Sequence, residues 1–388
     1  MMQVAIKKCF EYDVDLIYNN IIQSIDLINI ENKELIKEND TVFIKLNLVG
    51  PFEKERGITT HPTFLKAIIR YVKKYTNNII VGDNPAVRDQ IFTMKKTGIY
   101  DVIKEENVQI LDQKKTKTIT YSNYKVYNKF EVTSEMIDCD VLINLPKLKT
   151  HSLAYMTCAQ KNFFGTIYGL NKSLWHVKAN SPLEFADAIN DLYGAILEQM
   201  TNKTMIHICD GIVGLEGEGP SSAGITKKAN IILTSFDAVS LDRVACEVTK
   251  LNHQKLFITN TACVRKIGEG DINNIEILGD SLNDFQDLSF LEPKDSLSNF
   301  GLKILKIKPL RNLLLEHPVI EESKCIKCGE CVKICPPKTM IIKKKDGKVS
   351  FPKLKAINCI RCWCCSEVCP QNAIKKNKRP LLGKILFK

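Results

Sequence analysis

The chain has 388 residues, 44% of them hydrophobic, with a formal net charge of +11. That length allows more than one packed domain. The opening MMQVAIKKCFEYDVDL lacks the continuous apolar core of a signal peptide, and no apolar run approaches the roughly 18 residues needed to cross a bilayer, so a cytoplasmic rather than a secreted or membrane-spanning protein is expected.

From the N-terminus to about residue 280, short apolar runs alternate with amphipathic segments. Strands are predicted over 41–46, 78–82, 108–112, 141–145, 205–210, 230–234 and 275–278, and helices over 61–75, 89–104, 153–164, 183–199 and 238–250. Pro62 at a first helical turn and Gly165 after a last one support two of these boundaries. A hairpin-like insertion is expected around 117–130. Strands alternating with helices argue for an α/β head with a largely parallel sheet.

In such a sheet ligands sit beyond the carboxyl ends of the strands, and several predicted strand ends carry polar groups. Lys45 and Asn47 follow TVFIKLNL, Asp83 and Asn84 follow NIIV, and Asp210 follows MIHIC. Asp83 reads equally as a helix cap. After the strand at 141–145, Lys147, Lys149 and His151 alternate in an extended segment and so point to one side. A helix starting near Ser152 would add the positive potential of its N-terminal amides, with Thr157 and Lys161 on one face. Together these groups predict an anion site, and as exposed lysines they would be dispensable for folding. His61 opens a helix and His176 lies beside Trp175; both are candidate proton carriers, as is His151. The glycine-rich stretch from Gly211 to Pro220 matches no nucleotide-binding pattern and reads as a loop that brings Glu216 or Glu218 over a pocket.

The set FIKLNLVGPFEKERGITTHP, IIVGDNP, LPKLKTH, MTCAQKNFFGTIYG, FADAINDL, DGIVGLEGEGP and SFDAVSLDRVA resembles the family filed as domain of unknown function 362, over about residues 40–280. The resemblance implies the architecture, with a C-terminal two-cluster ferredoxin often attached, but no substrate, since the family has no assigned reaction.

Periodicity weakens over 281–320, which is read as a linker ending in the basic, apolar NFGLKILKIKPLRNLLL. The tail over 379–388 has the same character. Such segments can pack on the head, dock to a redox partner protein or lie on a membrane surface, and Pro309 and Pro380 break any long amphipathic helix.

Between them, Cys325-Ile-Lys-Cys-Gly-Glu-Cys-Val-Lys-Ile-Cys-Pro336 repeats 34 residues later as Cys359-Ile-Arg-Cys-Trp-Cys-Cys-Ser-Glu-Val-Cys-Pro370. Every cysteine of the first run lands on a cysteine of the second, and Cys364 aligns with Glu330, so Cys364 is the extra thiol. The two C-x2-C-x2-C-x3-C-P runs resemble the bacterial two-cluster ferredoxin module, over roughly 321–378. That resemblance implies two 4Fe-4S clusters, one held by Cys325, Cys328, Cys331 and Cys369 and the other by Cys359, Cys362, Cys365 and Cys335, making a small α+β domain. Disulfides or zinc would not use eight ligands at this spacing. The other six of the 15 cysteines are scattered singly, as buried small hydrophobes often are, which fits a reducing compartment. The abundance of Lys, Ile and Asn hints at an anaerobe.

Residues 321–388 hold 17 Lys/Arg against 5 Asp/Glu, so the positive charge is local to this end. Nucleic-acid binding there is not expected, because no reading motif and few stacking aromatics accompany it. The expected function is an iron–sulfur oxidoreductase that exchanges electrons with an anionic small molecule in the head. The rival from another class is a non-catalytic electron carrier whose head is a docking domain.

Overall fold

Apart from their last residues, the runs VFIK, IIVG and VLIN are apolar without alternation, as strands covered on both faces must be. In the computed structural model they lie side by side in one sheet. The structure describes residues 1–85, 88–168, 175, 178–179, 181–294, 308–345, 348–378 and 380–382.

The head contains β1 (Met2–Lys8), β2 (Val42–Lys45), β3 (Ile79–Gly82), β4 (Gln109–Ile110), β5 (Thr116–Thr120), β6 (Lys129–Thr133), β7 (Val141–Asn144), β8 (Lys147–His151), β9 (Tyr155–Thr157), β10 (Thr204–Gly217), β11 (Gly224–Ser235) and β12 (Ile275–Gly279). The main sheet runs β12-β1-β11-β10-β7-β2-β3-β4, and β8 pairs with both β10 and β9. Along that main path only β11 runs antiparallel to its neighbours. Period-two alternation sends Phe43 and Leu142 to one apolar layer and Val42, Ile44, Val141 and Ile143 to the other. The helices Val14–Ile28 and Pro62–Val72 cover the second layer, and Pro182–Gln199 and Ala238–Val248 cover the first. This is an α/β head with a mostly parallel sheet, as expected.

Several elements differ from the sequence-based expectation, each for a physical reason. The helix expected over 89–104 is two helices, because Gly98 at φ +80° closes the first and opens the second. The helix expected over 153–164 begins late. Lys149, Thr150 and His151 pair with Thr157, Met156 and Tyr155 in a hairpin, and only Ala159–Asn162 is α-helical, followed by a 3-10 turn at Phe163–Thr166. The glycine-rich stretch is no loop: Gly211–Gly217 finishes β10, in a long ribbon with β11. Small residues there let strands approach closely, since a Cβ on Gly211 would lie 2.7 Å from the Ile231 side chain. Part of the expected linker also belongs to the head, where Phe285, Leu288 and Phe290 join the core.

In the C-terminal segment, Pro318–Ile320 pairs antiparallel with Ile374–Lys376, and Met340–Ile341 pairs with Lys353–Leu354. The short helices Glu330–Lys333 and Cys364–Glu367 open at equivalent positions of the two cysteine runs. This is the small α+β arrangement that was expected. No helix among the described residues is long and apolar enough to cross a membrane. Most of the 379–388 tail, and residues 295–307 of the basic segment, lie outside the described residues.

The β5–β6 hairpin packs on Pro182–Gln199 where Gly194 meets the Tyr121 ring; a Cβ there would lie 2.4 Å from it. Gly194→Val should therefore overpack the contact and destabilise the head by roughly 1–3 kcal/mol. Thermal unfolding of the two proteins measures it as a lower Tm.

Candidate functional site

Strands β2, β3 and β7 end at the same edge of the sheet, and their last residues bring polar groups together there. Lys45 Nζ lies 2.6 Å from Asp83 Oδ1 and donates to the Leu46 carbonyl at 2.8 Å. Asp83 Oδ2 accepts from the Leu48 amide at 2.7 Å, so this carboxylate holds a lysine and a chain turn and caps no helix. Asn144 and Asn47 are joined through Asn162, which donates to Asn144 Oδ1 and accepts from Asn47 Nδ2, both at 2.7 Å.

The chain leaving β7 supplies the next group. Lys147 Nζ lies 2.8 Å from Asp210 Oδ2 and donates to the Tyr12 hydroxyl at 2.6 Å, and that hydroxyl donates to Asp210 Oδ1 at 2.9 Å. Tyr12 stacks on His61 at 3.6 Å between ring centroids. Two residues on, Lys149 donates to the Ile58 carbonyl at 2.7 Å and to Asn47 Oδ1. Its ammonium has no carboxylate within ion-pair distance among the described residues.

These lysines are not on a solvated surface as expected: Lys45, Lys147 and Lys149 are each no more than 1% exposed. Burial pulls all three ammonium pKa values below the ordinary lysine range, and neighbouring carboxylates, Asp83 and Asp210, oppose it for Lys45 and Lys147. Lys149 goes well below, because the Lys161 and Lys147 charges add to its burial. The expected dispensability of these lysines for folding is thereby overturned, since removing Lys147 would leave Asp210 buried without its cation.

Lys147, Lys149 and His151 do share one side, and with Asp83, Thr157 and Lys161 they line a cavity of about 120 Å³. Thr157 and Lys161 do not share a helical face, for Thr157 ends β9 and Lys161 lies in Ala159–Asn162. The amides expected from a helix at Ser152 are likewise absent from the site, since Ser152 lies in the turn of the β8–β9 hairpin. Lys161 sits over the Phe164 and Phe185 rings, and burial lowers its pKa while Glu367 and Cys364 oppose that. His151 Nδ1 accepts from the amides of Leu153 and Ala154, at 3.0 and 3.2 Å, which puts the ring proton on Nε2, 3.6 Å from Glu367 Oε1.

Glu367 belongs to the cysteine-rich segment, which closes the cavity with Ile334, Cys364, Glu367 and Val368. Further contacts hold the same seam: Arg88 with Glu330 at 3.2 Å, Lys376 with Glu218 at 2.9 Å, and Ser222 donating to the Cys369 carbonyl at 2.7 Å. Glu330 and Cys364, equivalent in the 34-residue repeat, both face the head.

The cysteines fall into two groups. Cys325, Cys328, Cys331 and Cys369 line one pocket. Burial first, then the nearby thiols of Cys328, Cys369 and Cys325, pushes Cys331 up to about 12. Cys359 is raised by burial, with Cys362 and Cys335 as its thiol neighbours. The last cysteine of each run thus lies with the other run.

Other expected site residues stand apart. His61 accepts from the Thr63 amide at 3.2 Å as a helix cap, and burial lowers its pKa to about 4. Glu216 is a strand residue that accepts from the Leu291 amide at 2.9 Å. Glu218 accepts from the Lys294 amide at 2.7 Å, and neither glutamate reaches the cavity. His176 lies outside the described residues. Sequence reasoning missed Tyr12, Asn162 and Glu367, whose roles depend on contacts across 198, 115 and more residues of chain.

Asp83→Ala would strand the Lys45 ammonium in the interior and should cost roughly 3–5 kcal/mol. Lys45→Met combined with Asp83→Leu should recover most of that loss. Chemical denaturation of the three proteins reads out the difference.

Comparison with known proteins agrees with this division of the chain. The description "Domain of unknown function (DUF362)" matches residues 42–247, and "4Fe-4S dicluster domain" matches residues 324–374. A thylakoid-associated protein of Synechocystis sp. is 28% identical over 218 residues, which cover 56% of this chain and 65% of that protein. The match thus spans just under two thirds of that curated relative. Among solved structures, the lactate racemase apoprotein of Thermoanaerobacterium thermosaccharolyticum aligns with a TM-score of 0.41 and 13% identity, covering 65% of this chain and 58% of that one. A Thermotoga maritima protein from a structural genomics consortium aligns with a TM-score of 0.36 and 9% identity, covering 63% and 61%. With its family match over more than half its length and its iron–sulfur match beyond, the chain belongs to the DUF362 family and carries a C-terminal 4Fe-4S dicluster domain.

Proposed function

We propose that the protein is a ferredoxin-type oxidoreductase whose head binds a small anion in the cavity beside the second cysteine run. The observation that carries this reading is Lys149, a buried ammonium with no carboxylate partner among the described residues, in the wall of a cavity of about 120 Å³. Three lysines (Lys147, Lys149 and Lys161) line it with two carboxyls (Asp83 and Glu367), while Lys45 and Asp210, which pair with Asp83 and Lys147, do not. Burial also raises the Glu367 pKa, which shifts this one carboxyl towards its neutral form. An uncompensated buried charge is expensive, and a carboxylate or phosphate-sized ligand would remove that cost. The space exceeds what one water needs several times over.

The two cysteine groups fit a pair of cubanes, because each gathers four thiols, three from one run and the last from the other. Cys325, Cys328, Cys331 and Cys369 would hold one cluster, and Cys359, Cys362, Cys365 and Cys335 the other. When bound, such clusters supply one-electron transfer. In the head, Lys149 and Lys161 would bind and orient the anion. His151 and Glu367 would hold the proton at the cavity wall, and Ile334 and Val368 would keep water out.

Anaerobically prepared protein should contain about eight iron and eight sulfide per chain. Cys364→Ala should leave that content unchanged and Cys365→Ala should lower it; a stoichiometric zinc content in place of iron would end the cluster reading.

Lys161→Ala should weaken anion binding by roughly 1.5–3 kcal/mol, the range for a hydrogen bond to a charged group. It should leave iron content and folding near those of the parent, since Lys161 has no ion pair to break among the described residues. Because burial lowers the Lys149 pKa and a bound anion would raise it again, binding takes up protons above the lowered value, and affinity falls as pH rises through it. Thermal-shift screening of carboxylates and phosphates from pH 6 to 9, with iron measured in parallel, tests both points. If Lys161→Ala keeps every response of the parent, the head is a docking domain and the protein a carrier.

A further inference from the structure

The six cysteines outside the runs are expected to be scattered singly, yet two of them meet. Cys158 Sγ lies 3.3 Å from Cys209 Sγ, and both residues are at most 2% exposed. The contact joins elements 51 residues apart: Cys158 follows β9 and Cys209 lies in β10. Cys158 also lines the cavity that carries Lys149 and Lys161 on its head side and Cys364 on the other. We infer that Cys158 and Cys209 are a redox-active dithiol, which closes to a disulfide and reopens within the wall of the cavity.

Geometry and surroundings both suit such a pair. Closing 3.3 Å to a disulfide of about 2.05 Å needs a movement of little more than 1 Å. Beside Cys158 lies the buried Asp242 carboxylate, which accepts from the Ala159 amide at 2.6 Å and the Gln160 amide at 3.1 Å. Burial raises Asp242 to about 7, against the pull of those two amides and the Cys158 thiol. It can therefore take or return a proton at Cys158 near neutral pH. Burial, with Cys209 and Asp242 beside it, keeps the Cys158 thiol itself protonated, so the thiolate that closes the pair forms only as Asp242 takes its proton. In a reducing compartment, disulfides that do form are characteristically catalytic or redox-sensing.

The balance is simple. Closing the pair forms one Sγ–Sγ bond and releases two electrons and two protons, and reopening consumes the same. The protons pass by Asp242 to solvent or to the cavity. The electrons require two one-electron carriers, which is the capacity of a dicluster iron–sulfur protein. The inference rests on the redox reading above but not on the anion.

The test uses the full-length, iron-loaded protein prepared anaerobically. Diamide is added at levels that leave the iron content intact, free thiols are alkylated on unfolding, and peptides are mapped by mass spectrometry. The expected result is a peptide linking Cys158 to Cys209, absent from Cys158→Ser and from Cys209→Ser, while both variants keep the parent's iron content. Photoreduction with a one-electron donor should then reopen the bond in the parent at least ten times faster than in Cys365→Ala. Separate alkylation of Cys158 and Cys209 at every such diamide level overturns the proposal, and so does equal reopening in the two proteins. Anion responses are measured on the unoxidised protein, so a missing linkage and a missing anion site are told apart.

Discussion

Charge buried at one edge of a parallel sheet governs this molecule. An ammonium taken out of water loses several kcal/mol of solvation that only a well-placed partner restores. Lys45 and Lys147 have such partners in Asp83 and Asp210, each at hydrogen-bond distance and each placed by a different part of the chain. Around these pairs the rest is fitted: Asp83 turns the chain after β2 through the Leu48 amide, and Asp210 fastens Tyr12 and the His61 amide that opens the helix Pro62–Val72. Lys147 thus both braces the fold and borders the cavity, while Lys45 braces it alone. Among the described residues Lys149 and Lys161 have no carboxylate at ion-pair distance, which sets them apart from the bracing charges.

The seam with the cysteine-rich segment follows from the same edge. Two sequence positions that the repeat makes equivalent, Glu330 and Cys364, begin the two short helices and both face the head. In one copy a carboxylate pairs with Arg88; in the other a thiol and, three residues on, Glu367 complete the cavity wall. The extra cysteine therefore marks a place where the repeat departs from its own pattern to serve a contact with the head. The dicluster domain thus supplies part of the wall of a cavity where Cys158, Lys149 and His151 already meet.

The parallel sheet was legible because buried strands such as VFIK and VLIN are too apolar to sit anywhere else, and the cysteine runs because their spacing repeats without a gap over 34 residues. Lys147, Lys149 and His151 could be assigned to one side because alternation is a property of any extended backbone. Such signals are local, carried by residue types at fixed separations. Burial is not local. Whether a lysine at a strand end meets water or a carboxylate depends on residues such as Asp210, 63 positions after Lys147 along the chain. The hairpin that replaced the expected helix after Ser152, the ribbon that replaced the glycine-rich loop, and the meeting of Cys158 with Cys209 share this origin. Each is settled by strand pairing across the fold, where the free energy of burying a whole sheet edge outweighs the weak preferences of a short segment.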